Sequence, residues 1–225
     1  MEKIGIIGSG TWGTAISILL HNNGHEVTIW SAIPEEIDEM AATRKHKNLP
    51  EVTLPESLRL TKDLKEAMEG KDLLVMAVPS VFVRSTAKRM KPYLHDGQII
   101  VDVAKGIEES TLFTMSQIIE EELPTAQVAA LSGPSHAEEV SRGLPTTCVA
   151  GAHKKAVAEY IQSVFMSPVF RVYTSPDMLG IEIGAALKNV VALAAGIADG
   201  LGYGDNTKAA LNTPGMGEVA RLGMG

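Results

Sequence analysis

The segment from Gly5 to Ala15 reads GIIGSGTWGTA and places Gly8, Gly10 and Gly13 in the spacing G-x-G-x-x-G. An apolar run precedes these glycines and another follows them, as in the strand, turn and helix of a dinucleotide-binding unit. The first glycine permits the tight turn, the second lets the backbone approach a pyrophosphate, and the third lets the helix pack close to the sheet. The N–H groups at the start of the helix then face the anion. The spacing predicts a dinucleotide site, with a plain glycine-rich turn as the alternative.

The end of the second predicted strand leaves the identity of the dinucleotide open. An acidic residue at this place binds the adenosine ribose of NAD, whereas an arginine accepts the additional phosphate of NADP. Trp30–Ile33 (WSAI) contains neither residue type. Ser31 is able to bond either group, and Arg44 or Lys45 lie close enough along the chain to reach it. NAD and NADP therefore both remain candidates.

Lys188 lies in the most apolar stretch of the chain, Ile183–Ala198, where it and Asn189 are the only polar side chains. The residues three and four positions away share its helical face and are small or apolar, so we expect Lys188 to be partly desolvated. Desolvation lowers the pKa of a lysine and suits it to proton transfer or to an anionic partner. A structural lysine whose amine reaches solvent is the alternative.

Two further polar segments follow predicted strands, where open α/β sheets bind their ligands. Lys105 comes just after the run QIIVDV, and the segment 132–139 (SGPSHAEE) follows an apolar run. In that segment we expect Gly133 in a turn and Ser135 at a helix N-cap. The two segments predict a pocket for a phosphate or hydroxyl group. An exposed loop lysine and simple helix capping are the alternatives.

The elements that must position these residues alternate along most of the chain. Apolar runs separated by helical segments predict βαβ units and a mostly parallel sheet. The predicted strands are Ile4–Ile7, Glu26–Trp30, Leu73–Val78, Gln98–Val103, Val128–Leu131, Thr146–Ala150 and Val169–Tyr173. No strand is expected after Pro176, where alanine, glycine and leucine dominate as far as Ala210. We predict an α/β fold with a Rossmann-like, mostly parallel sheet domain over residues 1–180, followed by the start of a truncated all-helical domain over residues 181–225.

The composition limits the class of protein. The 225 residues are 45% hydrophobic, and 20 Lys+Arg against 27 Asp+Glu give a net charge of −7, which argues against a nucleic-acid partner. The chain has one cysteine, Cys148, which excludes an internal disulfide and fits a reducing compartment. We expect the side chain of Cys148 to be buried in the protein. The chain opens without a secretory signal pattern, and its most apolar stretch is shorter than the roughly 20 residues of a membrane span. We expect a cytoplasmic protein without a membrane span, and homodimer formation stays open.

Four segments together resemble the bacterial form of the NAD(P)-dependent glycerol-3-phosphate dehydrogenase family. They are GSGTWGTA (8–15), AKGIE (104–108), SGPSHAEE (132–139) and ALKNVVALAAGIADGLGYGDNTKAAL (186–211). The resemblance implies reversible reduction of dihydroxyacetone phosphate to sn-glycerol 3-phosphate, which supplies phospholipid synthesis. It also implies NAD or NADP as the cofactor and a small phosphorylated molecule as the substrate.

The resemblance assigns roles to individual residues. Lys188 matches the group that exchanges a proton with the substrate oxygen while hydride passes to or from the nicotinamide, and Lys105 matches a lysine between cofactor and substrate. The remaining positions are Gly133, Ser135 and Asn189 for the substrate, and Gly8, Gly10, Thr11, Trp12, Gly13, Ala32 and Ala137 for the cofactor. Ala32 stands where many members have a basic or polar residue, which puts a preference for NADP in doubt.

The chain also departs from the family pattern. Members continue with a G-L-G-D-L segment that carries a catalytic aspartate and an S-R-N segment that binds the substrate phosphate, and neither occurs in this sequence. The segment 212–215 (NTPG) replaces the usual I-T-R-G, and Pro214 is expected to disfavour a continuous closing helix. We therefore expect a truncated chain. A catalytically silent dinucleotide-binding module and a relative of the β-hydroxyacid dehydrogenases remain as alternative functions.

Overall fold

The apolar runs of the sequence form one eight-stranded sheet in a computed structural model, which describes residues 1–223. The strands are β1 Lys3–Ile7, β2 Glu26–Trp30, β3 Arg59–Thr61, β4 Leu73–Met76, β5 Ile99–Asp102, β6 Gln127–Ser132, β7 Thr146–Ala152 and β8 Phe170–Ser175. Their spatial order is β3-β2-β1-β4-β5-β6-β7-β8. Every neighbouring pair is parallel except β6 and β7, which confirms the prediction of a mostly parallel sheet.

Helices lie between the strands, and two further helices follow β8. They are α1 Thr11–Asn22, α2 Pro34–Thr43, α3 Leu64–Met68, α4 Val83–Met90, α5 Met115–Glu122, α6 Ala137–Ser141, α7 Lys155–Phe165, α8 Met178–Gly200 and α9 Asp205–Gly223. All seven predicted strands are present. Strand β3 was not predicted, because this three-residue edge strand, Arg-Leu-Thr, contains no apolar run.

Both faces of the central strands are covered, so β1, β4 and β5 are nearly continuous apolar runs, whereas the edge strand β8 alternates buried and exposed residues. Neighbouring residues of β1 show this, because Ile6 belongs to the buried cluster that contains Leu20 and Phe165, whereas Ile7 belongs to a second cluster that contains Trp30. In β1, β4 and β5 the polar residues are therefore found at the ends of the strands rather than on their faces.

One edge of the sheet gathers the segments singled out from the sequence. The carboxyl ends of β1, β4, β5 and β6 lie there together, because these four strands run parallel. Strands β2 and β3 lie on one side of β1, whereas β4 and the later strands lie on the other. Open α/β sheets bind ligands in the crevice formed where the strand order reverses in this way. The crevice here lies between the ends of β1 and β4.

The region after the sheet is helical, as expected, and no strand follows Ser175 within residues 1–223. The side chain of Asp177 begins α8 by accepting a hydrogen bond from the N–H of Gly180 at 2.8 Å. The first turns of α8 pack against β6 and β7, and α9 packs against α8. By length and composition α8 is apolar enough to cross a membrane, and 17% of its apolar window is buried. Core helices of soluble proteins meet the same criterion, so this alone is a weak indication of a span.

The expectation that Pro214 would interrupt the closing helix is wrong. Helix α9 runs from Asp205 to Gly223 with Pro214 inside it. Proline removes one backbone hydrogen bond from a helix, and packing on a neighbouring helix is able to offset that loss. The next residue, Gly215, lies so close to α8 that an added Cβ would be 3.1 Å from a methyl group of Val191. This close contact keeps α9 against α8 at the proline.

Candidate functional site

The three glycines of the turn between β1 and α1 have three different surroundings. Gly8 has a φ of +126°, and an added Cβ would lie 2.7 Å from the carbonyl group of Ala77. An added Cβ at Gly13 would lie 2.2 Å from the carbonyl oxygen of Gly8. At Gly10, by contrast, no atom lies within 4 Å of that position. Gly8 and Gly13 are therefore needed for packing, whereas Gly10 faces open space at the N-cap of α1.

A cavity of about 470 Å³ lies next to Gly10 at the crevice between β1 and β4. It is lined by four loops that follow β1, β4, β5 and β6, and by the start of α6. The lining residues are Gly10, Thr11, Trp12, Ala77, Val78, Pro79, Ser80, Val103, Ala104, Lys105, Ser135, His136 and Ala137. The structure thus brings together Thr11, Trp12, Lys105, Ser135 and Ala137 from distant parts of the sequence.

Lys105 is the half-buried cation of this cavity. Its Nζ lies 3.5 Å from Ser135 Oγ and 5.9 Å from the centre of the Trp12 ring. Burial lowers the pKa of Lys105, and the positive charge of Lys188 lowers it further, whereas Cys148 acts in the opposite direction. A partly desolvated ammonium group binds an anion more strongly than a hydrated one. Lys105 is therefore placed to hold a negatively charged ligand group.

The Ser135 side chain is held by a hydrogen bond to the backbone of Gly133. Its hydroxyl donates to the carbonyl oxygen of Gly133 at 3.2 Å. An added Cβ at Gly133 would lie 2.4 Å from the carbonyl oxygen of Thr147, so β6 and β7 need a glycine there. The expected N-cap role of Ser135 is wrong, because α6 begins one residue later, with His136 at its N-cap. Ser135 is instead free to point at Lys105 and the cavity.

Cys148 lies beneath the same site and is buried, as predicted. Burial raises the pKa of its thiol to about 11, although the charge of Lys105 and a hydrogen bond with Ser135 oppose this shift. A thiol with such a pKa is protonated near neutral pH and is a poor nucleophile. Cys148 thus packs beneath the site and contacts Ser135.

The prediction that Lys188 is desolvated is wrong for the described residues. Its side chain is exposed and donates to Asn189 Oδ1 at 2.9 Å. Helix α8 buries Met178, Glu182 and Ala185, and Lys188 lies beyond this contact with the sheet. Neighbours on the same helix desolvate a lysine only where a second element covers that face. The charge of Lys188 nevertheless acts on Lys105, so the two amines face one region of the molecule.

An acidic residue near the end of β2 was not predicted from the sequence. Ala32 is exposed just after β2 and carries no functional group. Glu36, in the first turn of α2, accepts hydrogen bonds from the hydroxyls of Ser9 at 2.8 Å and Ser31 at 3.0 Å. The signal that would have found it is spacing, because dinucleotide sites carry an acidic residue about 20 positions after the glycine motif.

The backbone at the start of α1 fits a bound dinucleotide. Gly10 leaves open space at the start of α1, where the first N–H groups of a helix have no partner within the helix. The indole N–H of Trp12 is buried and has no hydrogen-bond partner among the described residues. The backbone N–H groups that face the open space at Gly10 are suited to a phosphate group, whereas the indole N–H of Trp12 is enclosed by the protein. Within residues 1–223 no group of three or more His, Cys, Asp or Glu side chains is arranged to hold a metal ion.

Comparisons with known proteins agree on one family. The family models for the NAD-dependent glycerol-3-phosphate dehydrogenase N-terminus and C-terminus match residues 3–158 and 177–225. The chain is 60% identical to the glycerol-3-phosphate dehydrogenase [NAD(P)+] of Fusobacterium nucleatum, over 100% of the chain and 68% of that protein. It is 59% identical to the protein of the same name from Agathobacter rectalis, over 99% of the chain and 66% of that protein. The chain therefore spans about two thirds of the length of these relatives.

Solved structures agree with the sequence comparisons. The glycerol-3-phosphate dehydrogenase of Coxiella burnetii superposes with a TM-score of 0.92 at 35% identity, covering 98% of this chain and 68% of that one. The 3-hydroxyisobutyrate dehydrogenase of Mycobacterium tuberculosis superposes with a TM-score of 0.64 at 14% identity, covering 91% of this chain and 67% of that one. The second likeness shows a shared fold alone. The alternative of a β-hydroxyacid dehydrogenase relative therefore has much weaker support.

Proposed function

We propose that this chain, which belongs to the family of NAD-dependent glycerol-3-phosphate dehydrogenases, interconverts dihydroxyacetone phosphate and sn-glycerol 3-phosphate. The observation that carries the proposal is the meeting of the glycine turn, Lys105 and Ser135 at one cavity. A bound NAD(P)H supplies the hydride, which goes to the carbonyl carbon of dihydroxyacetone phosphate. The carbonyl oxygen then takes up one proton, and the reverse reaction returns both. The product is a precursor of phospholipids.

The turn and the start of α1 are proposed to hold the cofactor. Gly8, Gly10 and Gly13 shape the backbone around the pyrophosphate, and Thr11 and Trp12 add contacts from the first turn of the helix. The N–H groups there favour a negative charge. Ala137 lines the opposite wall of the cavity, and Ala32 lies on the adenosine side.

Lys105, Gly133 and Ser135 are proposed to bind the substrate. The half-buried ammonium group of Lys105 attracts a phosphorylated substrate and stabilises negative charge that develops on the carbonyl oxygen. The hydroxyl of Ser135, which accepts a hydrogen bond from Lys105 Nζ at 3.5 Å, is proposed to contact the substrate beside it. Lys188 is proposed as the catalytic acid and base that exchanges the proton with this oxygen, with Asn189 fixing its amine and contacting the substrate.

Cofactor binding and substrate binding are proposed to belong to two different domains. Residues 1–180 form the dinucleotide-binding domain, and residues 181–225 form the first part of a helical substrate domain, with the boundary where β8 gives way to α8. We propose a cytoplasmic enzyme with a small phosphorylated substrate, without a nucleic-acid partner or a membrane span. Homodimer formation stays a prediction to be checked by the mass of the protein in solution.

The test combines binding and turnover. Calorimetric titration with NADH and an assay of NADH oxidation by dihydroxyacetone phosphate are applied to the chain, to Lys188→Ala and to the control Lys155→Ala. Lys155 is exposed on α7, away from the cavity. We expect Lys188→Ala to lower kcat by about 10²-fold or more while NADH binding is unchanged. A near-normal kcat in this variant would show that Lys188 is not the acid and base.

A catalytically silent dinucleotide-binding module is the second candidate function. It is favoured by one observation, the exposed position of Lys188 among the described residues. Binding of NADH without any turnover of dihydroxyacetone phosphate would support this module and overturn the enzyme proposal. Turnover of 3-hydroxy acids in preference to the phosphorylated substrate would instead favour the β-hydroxyacid alternative.

A further inference from the structure

The carboxylate of Glu36 is fixed in place by two buried hydroxyl groups. Its Oε2 accepts from Ser9 Oγ at 2.8 Å and from Ser31 Oγ at 3.0 Å. Ser31 is itself oriented, because its Oγ accepts from the N–H of Ile33 at 3.1 Å. Ser9 is 2% exposed and Ser31 is 5% exposed, so both hydroxyls are held inside the protein. One oxygen of the carboxylate is thereby committed to the protein.

The other oxygen of Glu36, Oε1, is available to a ligand. The side chain of Glu36 is 29% exposed, and its Oε1 lies 3.8 Å from the ammonium group of Lys47. Lys47 is 61% exposed. Because the ion pair is long and open to solvent, a ligand is able to replace Lys47 as the partner of Oε1. Glu36 thus offers an oriented acceptor to solvent, with one mobile cation beside it.

The position of Glu36 relates it to the glycine turn. Ser9 lies between Gly8 and Gly10, and Ser31 directly follows β2. The N–H of Gly8 donates to the carbonyl oxygen of Trp30 at 3.0 Å, which joins the turn to the end of β2. In a dinucleotide-binding unit the pyrophosphate lies on the turn and the adenosine ribose lies over the end of the second strand. The Glu36 carboxylate is at that second place.

Other charges near Glu36 do not provide a ready site for an additional phosphate. Arg44 is turned away, because its guanidinium group donates to the carbonyl oxygen of Leu58 at 3.1 Å and pairs with Glu56 at 3.3 Å. His46 is buried, and burial lowers its pKa, so its ring is neutral near neutral pH. Lys47 is the remaining cation that contacts the carboxylate, and Glu36 already neutralises it.

We propose that Glu36 is the specificity-determining residue for the cofactor and makes this chain prefer NAD to NADP, an inference that rests on the proposed function. Its Oε1 accepts hydrogen bonds from the ribose hydroxyls of NAD. The 2′-phosphate of NADP removes one of these donors and brings negative charge against the carboxylate. An unpaired donor or acceptor and a like-charge contact both weaken binding of the wrong ligand. Ser9 and Ser31 are positioning residues that prevent Glu36 from turning away.

Calorimetric titration of the chain with NADH and with NADPH tests the proposal. We expect the Kd of NADH to be lower than the Kd of NADPH by about tenfold or more. Glu36→Gln removes the charge and releases Lys47, so the ratio should fall to about one or reverse in favour of NADPH. The control Glu35→Gln alters the neighbouring exposed carboxylate of the same helix turn and should leave the ratio unchanged. Adding Lys47→Met to Glu36→Gln should weaken NADPH again.

The unaltered chain provides a second test that does not depend on folding of a variant. ADP-ribose should displace bound NADH, whereas ADP-ribose carrying a 2′-phosphate should displace it at least about tenfold less effectively. Equal or tighter binding of NADPH, or an unchanged ratio in a folded Glu36→Gln variant, would overturn the role of Glu36 and leave the proposed function intact. Failure of both dinucleotides to bind would overturn the proposed function, and the cofactor preference with it.

Discussion

Glu182 of α8 accepts a hydrogen bond from the backbone N–H of Ser116 at 2.8 Å and so joins the helix that carries Lys188 to the start of α5. The hydroxyls of Ser116 and Thr114 also donate to this carboxylate, which is 6% exposed. A buried carboxylate is stable only where donors surround it in this way. This side chain therefore helps to fix the orientation of α8 at a point less than two helical turns before Lys188.

The first prediction concerns this contact. Glu182→Ala leaves three donors without an acceptor and should lower the free energy of unfolding by about 3 kcal/mol. Glu182→Gln keeps the shape and one oxygen, so a loss of about 1 kcal/mol is expected. Urea unfolding measures both, with Glu159→Ala, at a half-exposed residue of α7, as the control that should change little. Equal stability of Glu182→Ala and the unaltered chain would show that the contact does not hold α8.

A second prediction follows from the buried Asp102 at the end of β5. Burial raises the pKa of Asp102 well above its ordinary value, and the charge of Glu182 raises it further, against a hydrogen bond from the N–H of Ala104. The folded chain therefore keeps a proton that the unfolded chain releases above about pH 4. The free energy of unfolding then falls as pH rises above about 4, by up to about 1.4 kcal/mol per pH unit, until Asp102 also loses its proton in the folded chain.

Asp102→Asn has no proton to lose, so it should remove this decrease and be more stable than the unaltered chain at neutral pH. Urea unfolding at intervals between about pH 4 and pH 8 measures the two slopes. Asp96→Asn, at an exposed aspartate, is the control and should leave the slope as it is. Parallel curves for Asp102→Asn and the unaltered chain would contradict the raised pKa.

The extent to which the sequence predicts this molecule differs between its parts. Buried strands contain apolar runs, so seven of the eight strands were predicted from the sequence. Strand β3 has no such run, and only its pairing with β2 identifies it as a strand. The roles of Gly8 and Gly13 follow from a local motif. The exposure of Lys188 and the hydrogen bond from Ser9 to Glu36 depend on how whole elements pack, which local sequence patterns do not specify.

A third prediction concerns the loop that carries Lys105. Arg84 of α4 pairs with Glu108 at 2.7 Å and with Glu121 and Glu122 of α5, so it joins this loop to two helices. Hydrogen bonds from Arg84 and then Thr111 lower the pKa of Glu108 from 4.5 to about 2. The stabilisation is therefore fully present above pH 4.5 and is lost as pH falls toward about 2.

Arg84→Met should accordingly shift the acid unfolding midpoint to higher pH, and its loss of stability should be larger at about pH 6 than at about pH 2.5. Circular dichroism during acid titration and urea unfolding at the two pH values are the measurements. Lys91→Met, at an exposed cation just beyond α4, should leave the midpoint unchanged. The same loss of stability at both pH values would mean that Arg84 contributes packing rather than charge.

The last prediction separates the two functions of the glycine turn. Gly10 has a φ of −59° and open space around it, so Gly10→Ala should fold with a stability within about 1 kcal/mol of the unaltered chain. Its methyl group occupies the space proposed for the pyrophosphate and should weaken NADH binding about tenfold or more. Gly13→Ala forces a Cβ against the carbonyl oxygen of Gly8 and should cost about 3 kcal/mol of stability. Urea unfolding and calorimetric titration of both variants distinguish the effects, because each serves as the control for the other. Normal NADH binding by Gly10→Ala would place the pyrophosphate elsewhere.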